Sequence, residues 1–273
     1  MSEENLPNFD SLAYRLDHAL IAHRVVQFGL AVALMWKWEF FRWASSVYGE
    51  LPLSDSFFPA WLQSVWVLRV VFMGTVAAIV LSIFAMRTIR IVCAVISLVG
   101  CTILCWHQGS YNDMTFVTAW WTALWTMWYV FRMDDADTHS LMKRAAFLSR
   151  IIISMILLGG AAGKWTSEYW SGDVLYDIYF VDRDFWVFNF LRDSYEPQAL
   201  RNIATWYSRQ VVLTETIAGV GLWLLPAKWA ALVGVVLLTS IAVFSNFLLF
   251  SVLMSLIGLA AVGFLVPKPQ KPA

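Results

Sequence analysis

Lys164 closes a run of small residues, Gly159-Gly160-Ala161-Ala162-Gly163-Lys164-Trp165, at the end of an apolar stretch. Small side chains let a neighbouring helix approach closely, and they leave room beside the amine for a ligand. A lysine kept from water there gives up its proton more readily, and its neutral amine can act as a base near neutral pH. An interfacial lysine that anchors a helix end needs the same residue at the same place. Glu215 lies inside a later apolar stretch and is too short to snorkel far. It must hold a proton or meet a buried cation, with Arg42, Arg69 and Lys164 as candidates. Asn112 and Asp113 fill a short connection beside His107 and Tyr111. They can orient a ligand, although turns favour both residue types for their own sake. Lys37, Glu39 and Arg42 read as a local charge cluster reaching the interface, and Arg69 as a second snorkelling cation.

Sixteen tryptophans accompany these residues, and an interfacial belt accounts for most of them. Within Trp120, Trp121, Trp125 and Trp128, spacings of four and three put Trp121, Trp125 and Trp128 on one helical face. That face packs, meets lipid or walls a flat cavity. Trp165 and Trp170 flank the lysine.

The elements that position these residues are set by composition. Of 273 residues, 60% are apolar and 14% charged, and mean hydropathy is +0.64. Soluble domains hold about 45–50% apolar and about 25% charged residues, so the expected solvent is lipid. The 19 basic and 19 acidic residues cancel. No basic block or nucleic-acid motif is present, and nucleic acid is excluded as a partner. Cys93, Cys101 and Cys105 share one apolar run and read as core residues, not metal ligands or disulfides. The acidic start of the chain is not a cleaved signal peptide.

Spanning-length apolar runs cover 24–46, 65–87, 89–106, 114–133, 146–165, 208–226, 229–246 and 248–266. The expectation is an all-α integral membrane protein, a bundle of about eight transmembrane helices over 24–266. A cytoplasmic segment 1–23 precedes it and a cytoplasmic tail 267–273 follows. Basic residues mark every second connection: Arg15 and Arg24, Arg87 and Arg90, Lys143 and Arg144, Lys228, then Lys268 and Lys271. The positive-inside rule puts both termini in the cytoplasm of an inner membrane. Segment 166–207 then lies outside. It is too aromatic for a linker and reads as short interfacial helices over the bundle mouth.

The stretch Gly159-Gly160-Ala161-Ala162-Gly163-Lys164-Trp165-Thr166-Ser167-Glu168-Tyr169-Trp170-Ser171-Gly172 resembles the signature of the vitamin K-dependent gamma-carboxylase membrane domain and its bacterial relatives, the HTTM family. That group places a small-residue run before a lysine, then an aromatic, Trp, a small residue and Gly. Residues 23–42 resemble the family's first helix, residues 109–116 the segment before helix four, and residues 214–219 set Glu215 on a family acidic position. The likeness covers most of residues 10–260. It implies that Lys164 is a base acting on a hydroquinone, on the outer side. In a ligand-binding reading built on that lysine, Glu215 tunes its charge, Asn112 and Asp113 orient the ligand, and Trp121, Trp125, Trp165 and Trp170 wall the pocket.

Departures from the pattern shape the expected function. Met114 stands where the carboxylases carry a histidine, and their later His-containing segment is Phe244-Ser245-Asn246 here, with Asn246 as its polar ligand-facing residue. No counterpart of the large substrate-binding domain follows, so glutamate carboxylation is not expected. Two readings remain. One is a non-catalytic membrane subunit with a quinone- or lipid-sized pocket and a protein partner in the periplasm or the membrane. The other is a membrane enzyme using Lys164 on a hydroquinone-like substrate.

Overall fold

The computed structural model describes residues 9–50, 60–111, 114–134, 136–181, 183–244 and 249–267, and these form helices without a strand. In chain order they are α1 (Phe9–Glu50), α2 (Val65–Phe84), α3 (Arg87–Tyr111), α4 (Met114–Arg132), α5 (Thr138–Ala162), α6 (Ser167–Ser171), α7 (Asp173–Leu175), α8 (Trp186–Ser194), α9 (Pro197–Leu224), α10 (Ala227–Phe244) and α11 (Phe250–Ala261). A π turn, Tyr176–Val181, follows α7. Among the described residues, four helices are long and apolar enough to cross a membrane: His18–Val47 within α1, Val65–Phe84, Arg87–His107 and Thr138–Ala162. α4 carries many Trp and Thr side chains, and α9 carries Arg201, Arg209 and Glu215. α10 and α11 are apolar but shorter.

Helix limits follow local chemistry. The Asp137 carboxylate accepts a hydrogen bond from the Ser140 N–H at 3.0 Å, which caps the start of α5. Pro197 opens α9, where its missing N–H costs nothing, and Pro226 prevents its continuation. α9 therefore begins inside the 166–207 segment. Arg201 and Arg209 interrupt the apolar count there without interrupting the helix.

Packing depends on backbones that come close. α1 crosses α11 at Gly29 and Gly258. A Cβ on Gly29 would stand 2.7 Å from the Met254 carbonyl oxygen and 3.3 Å from Gly258 Cα. Around this crossing sit two apolar clusters. One joins α4, α5, α10 and α11 through Tyr129, Ile153, Leu238 and Leu256. The other joins α1 to α4, where the Phe41 and Phe72 rings stack at 4.5 Å and Phe116 meets Phe41 edge-on at 5.9 Å. Buried polar groups bond one another between helices. Gln27 donates to Thr126 at 2.7 Å, and Ser82 donates to Gln27 at 3.1 Å. Water is not available to them in lipid.

The helix ends sort by charge. Arg24 bonds the Ile83 carbonyl, Arg87 pairs with Asp134 at 2.9 Å, Arg150 bonds the Leu225 carbonyl at 2.7 Å, and His18 meets the Leu265 carbonyl at 3.2 Å. The start of α1, the α2–α3, α4–α5 and α9–α10 turns and the end of α11 thus share one end, the basic one. At the opposite end, Arg69 donates to the Arg42 carbonyl at 3.1 Å and to Ser46 at 2.7 Å, so its guanidinium is engaged away from Glu215.

The glycine crossing can be tested with one added methyl group. Gly29→Ala is expected to lower stability in detergent by about 1–3 kcal/mol, the usual cost of overpacking. Gly74→Ala, whose Cβ would meet nothing within 4 Å, is expected to leave the thermal midpoint unchanged or slightly raised. Equal shifts for the two variants would refute a tight α1–α11 contact.

Candidate functional site

α5 stops at Ala162, and the chain turns inward. The Lys164 N–H reaches the Ala161 carbonyl at 2.9 Å, and its side chain then points at α9. Nζ lies 2.5 Å from Glu215 Oε1 and 2.6 Å from Oε2. The two side chains keep 28% and 11% of their surface exposed, so the pair is largely withdrawn from solvent. Gly160 lies beside the pair: a Cβ there would stand at ordinary contact distance, 3.5 Å from Oε2 and 4.0 Å from Nζ. A turn further from the ion pair the helices touch, since a Cβ on Gly219 would strike Leu158 Cγ at 2.7 Å. An ammonium has three N–H donors. The carboxylate takes two of them, which leaves one for another acceptor.

The outer layer is fastened to α9. Ser208 donates to the Tyr169 carbonyl, Arg209 to the Trp170 carbonyl at 3.1 Å, and Thr205 to the Ser171 carbonyl at 2.6 Å. Three successive carbonyls at the end of α6 are satisfied this way. Gly172 follows with φ +89°, and a Cβ on it would lie 2.6 Å from the Thr205 backbone nitrogen. Only glycine suits both the dihedral and the contact. Beyond it, Arg192 ties the π turn by donating to the carbonyls of Phe180 at 3.1 Å and Arg183 at 2.9 Å. Leu175, Phe180, Phe188, Leu200 and Ala204 form a small core of their own. The segment between α5 and α9 is therefore a packed cap on this end of the bundle.

Between cap and bundle lies a cavity of about 450 Å³. Its polar lining comes from Lys164, Glu215, Tyr169, Tyr179, Tyr207, Gln210, Thr214 and Ser240, and its apolar lining from Leu175, Trp206, Val211, Leu237, Ile241 and Leu249. Burial pushes the Tyr169 phenol well above its ordinary range, with Tyr179, Glu215 and Tyr207 adding to the shift. It is a neutral donor at any physiological pH. Lys164 and Glu215 are the charged groups in the lining and they cancel, so the cavity offers hydrogen bonds without net charge.

The other residues singled out from sequence lie elsewhere. Trp165 stacks on Trp170 at 5.1 Å and donates to Thr216 at 3.3 Å, and Arg209 covers Trp170 at 5.7 Å. These rings brace the α5–α6–α9 corner and do not line the cavity. Trp125 stacks on Tyr129 at 4.8 Å and donates to the Ala145 carbonyl at 3.1 Å. Trp121 packs half-buried against the same core. Both belong to α4 packing because that helix faces the bundle centre. Asn112, Asp113 and Asn246 lie outside the described residues. Sequence reasoning passed over Tyr169, Tyr179, Tyr207, Gln210 and Thr214. The last three, at 207, 210 and 214, share one face of α9 through spacings of three and four, beside the face that carries Glu215, and that spacing was the available signal. Among the described residues no group of His, Cys, Asp and Glu is arranged for a metal.

No family model matches the chain, and no curated protein or solved structure matches it.

Removing one member of the ion pair leaves the other charge among apolar neighbours. Lys164→Met is expected to destabilise the protein by about 1–3 kcal/mol, below the range for a fully buried pair because the ammonium keeps some access to water. Adding Glu215→Leu is expected to restore most of the loss. Thermal melts of the two singles and the double form the cycle, and additive losses would show that the contact carries no coupling. Gly172→Ala is expected to detach the cap, with faster amide exchange across 167–181 and little change in α1 to α4.

Proposed function

We propose that the chain is a polytopic inner-membrane protein of about eight crossings, of the HTTM type, which binds a quinone or similar isoprenoid lipid beneath its outer cap. In this reading α4, α9, α10 and α11 also cross, each shielded by neighbours, which tolerates the polar residues they carry. The basic end faces the cytoplasm and the cap faces the periplasm, as loop charge directs. The observation that carries the proposal is the Lys164–Glu215 pair, turned at 2.5 Å into a cavity of about 450 Å³. Pockets for small ligands span about 300–1,000 Å³. A lining with phenols and amides on one side and Leu and Ile on the other suits a polar ring on an apolar tail.

The physiological role we favour is that of a binding subunit working with a membrane or periplasmic partner. Met114 stands where the carboxylase-like pattern has a histidine, its later His-containing segment is Phe244-Ser245-Asn246 here, and the amine is engaged by a carboxylate. A second reading keeps catalysis, because the Lys164 amine stands on the cavity wall with Glu215 within 2.6 Å of it.

The experiment is quantitation of native quinone extracted from protein purified in mild detergent, with partners identified in the same preparation. Wild type is expected to carry near-stoichiometric quinone, and Lys164→Ala to lose it at least about ten-fold, the loss from one charge-assisted hydrogen bond. Equal quinone in the two proteins would remove the site. Oxidation of menaquinol-4 by wild type but not by Lys164→Ala would replace the subunit reading with the catalytic one.

A further inference from the structure

α9 and α10 are joined by a tight turn at the basic end, where the Leu225 N–H bonds the Gly221 carbonyl at 3.1 Å and the Ala230 N–H bonds Pro226 at 2.9 Å. Above that turn the two helices pack against different partners. α9 lies on α5, with Gly219 against Leu158, and α10 lies on α11, with the Gly234 Cβ position 3.2 Å from Ala260. The seam between them widens into the cavity, which Leu237, Ser240 and Ile241 bound from α10. On the α9 side, Trp206, Gln210 and Thr214 line it at steps of four residues, and all three are exposed. A lining face that is also an exposed face makes the cavity continuous with the outside, and it runs down the outer half of a crossing helix. Trp186, the first residue of α8, ties α10 to the cap, and α8 itself packs on α9 through Phe188 against Leu200 and Ala204. The Trp186 Nε1–H donates to the Val243 carbonyl in the last turn of α10 at 3.1 Å.

We propose that the cavity exchanges its occupant sideways with the outer leaflet through the α9–α10 seam, and that the Trp186–Val243 hydrogen bond latches that seam. The claim rests on the reading of the cavity as a membrane-ligand site, and it adds the route and the gate. The cap cannot serve as the route, because three carbonyls of α6 and the π turn are tied to their neighbours. At the far end of α10 from the Leu225–Pro226 turn, the Trp186 indole bonds the Val243 carbonyl. A swing of α10 about that turn breaks this bond and parts the apolar contacts of Leu237 and Ile241. A tailed ligand in this arrangement leaves its polar end at Lys164–Glu215 and its chain in the seam.

The test compares wild type with Trp186→Phe, which keeps the ring and loses the N–H, in phosphatidylcholine nanodiscs. Spin labels at Asn202 and Thr239, exposed positions on α9 and α10, report the seam by pulsed dipolar spectroscopy without any ligand. Protein preloaded with menaquinone-4 and mixed with excess empty vesicles reports release. The latch predicts a narrow distance in wild type and an added longer population in Trp186→Phe. It also predicts release about five-fold faster, the factor carried by one neutral hydrogen bond, with equilibrium occupancy within about two-fold. Identical distances and identical release rates in the two proteins would overturn the gate and leave the binding site standing. A widened seam in the variant of a protein that retains no menaquinone-4 would do the reverse: the gate would stand and quinone as the occupant would fall.

Discussion

An amine and a carboxylate that meet in an apolar setting set the terms for the outer end of this molecule. Neither Lys164 nor Glu215 can be carried there alone, because an unpaired charge away from water costs several kcal/mol. Their meeting at 2.5 Å requires two local conditions. α5 must end at Ala162 so that Lys164 can turn inward. α9 must continue unbroken past Glu215 so that the acid is held at the level of the turn.

α9 does several of these tasks through its periodicity. Val212, Gly219 and Leu222 are buried and face the bundle. Tyr207, Gln210, Val211 and Thr214 face the cavity. Thr205, Ser208 and Arg209 hold the end of α6. One rigid helix therefore sets the spacing between cap, cavity wall and acid, and a site on such an element is held more closely than one on loops. The π turn at Tyr176–Val181 contributes the Tyr179 side chain from above. Its irregular backbone is tolerated because Arg192 satisfies the carbonyls it frees.

How much of this could be read from the residues depended on the range of the signal. The apolar runs indicated the helices because burial in lipid demands length, a local property. The partner of Glu215 was narrowed to Arg42, Arg69 and Lys164, and only three-dimensional packing singles out Lys164, since the other two lie on α1 and α2 at a distance from α9. Trp121 and Trp125 show the opposite case. Their helical spacing was plain, yet spacing does not tell which neighbour a face meets, and the face meets α5 and the core. Tyr169 and Tyr179 enter the cavity by way of a left-handed glycine and a π turn, neither of which follows a 3.6-residue repeat. Gly172 was visible in the family-like pattern, but its reason, a φ of +89° against the Thr205 backbone, was not.

The two ends of the bundle place their charged side chains differently. At the basic end, Arg24, Arg90 and Arg150 each donate to a carbonyl at the close of a helix, at Ile83, Ala85 and Leu225. Those carbonyls have no partner within their helices, and cations suit the negative end of a helix dipole. Charge there is engaged at helix termini. At the opposite end, the carbonyls that close α6 are served by the Thr205 and Ser208 hydroxyls and the Arg209 guanidinium, while Arg192 holds the π turn. Lys164 is fixed instead by a carboxylate, which takes two of its three donors at the wall of the cavity.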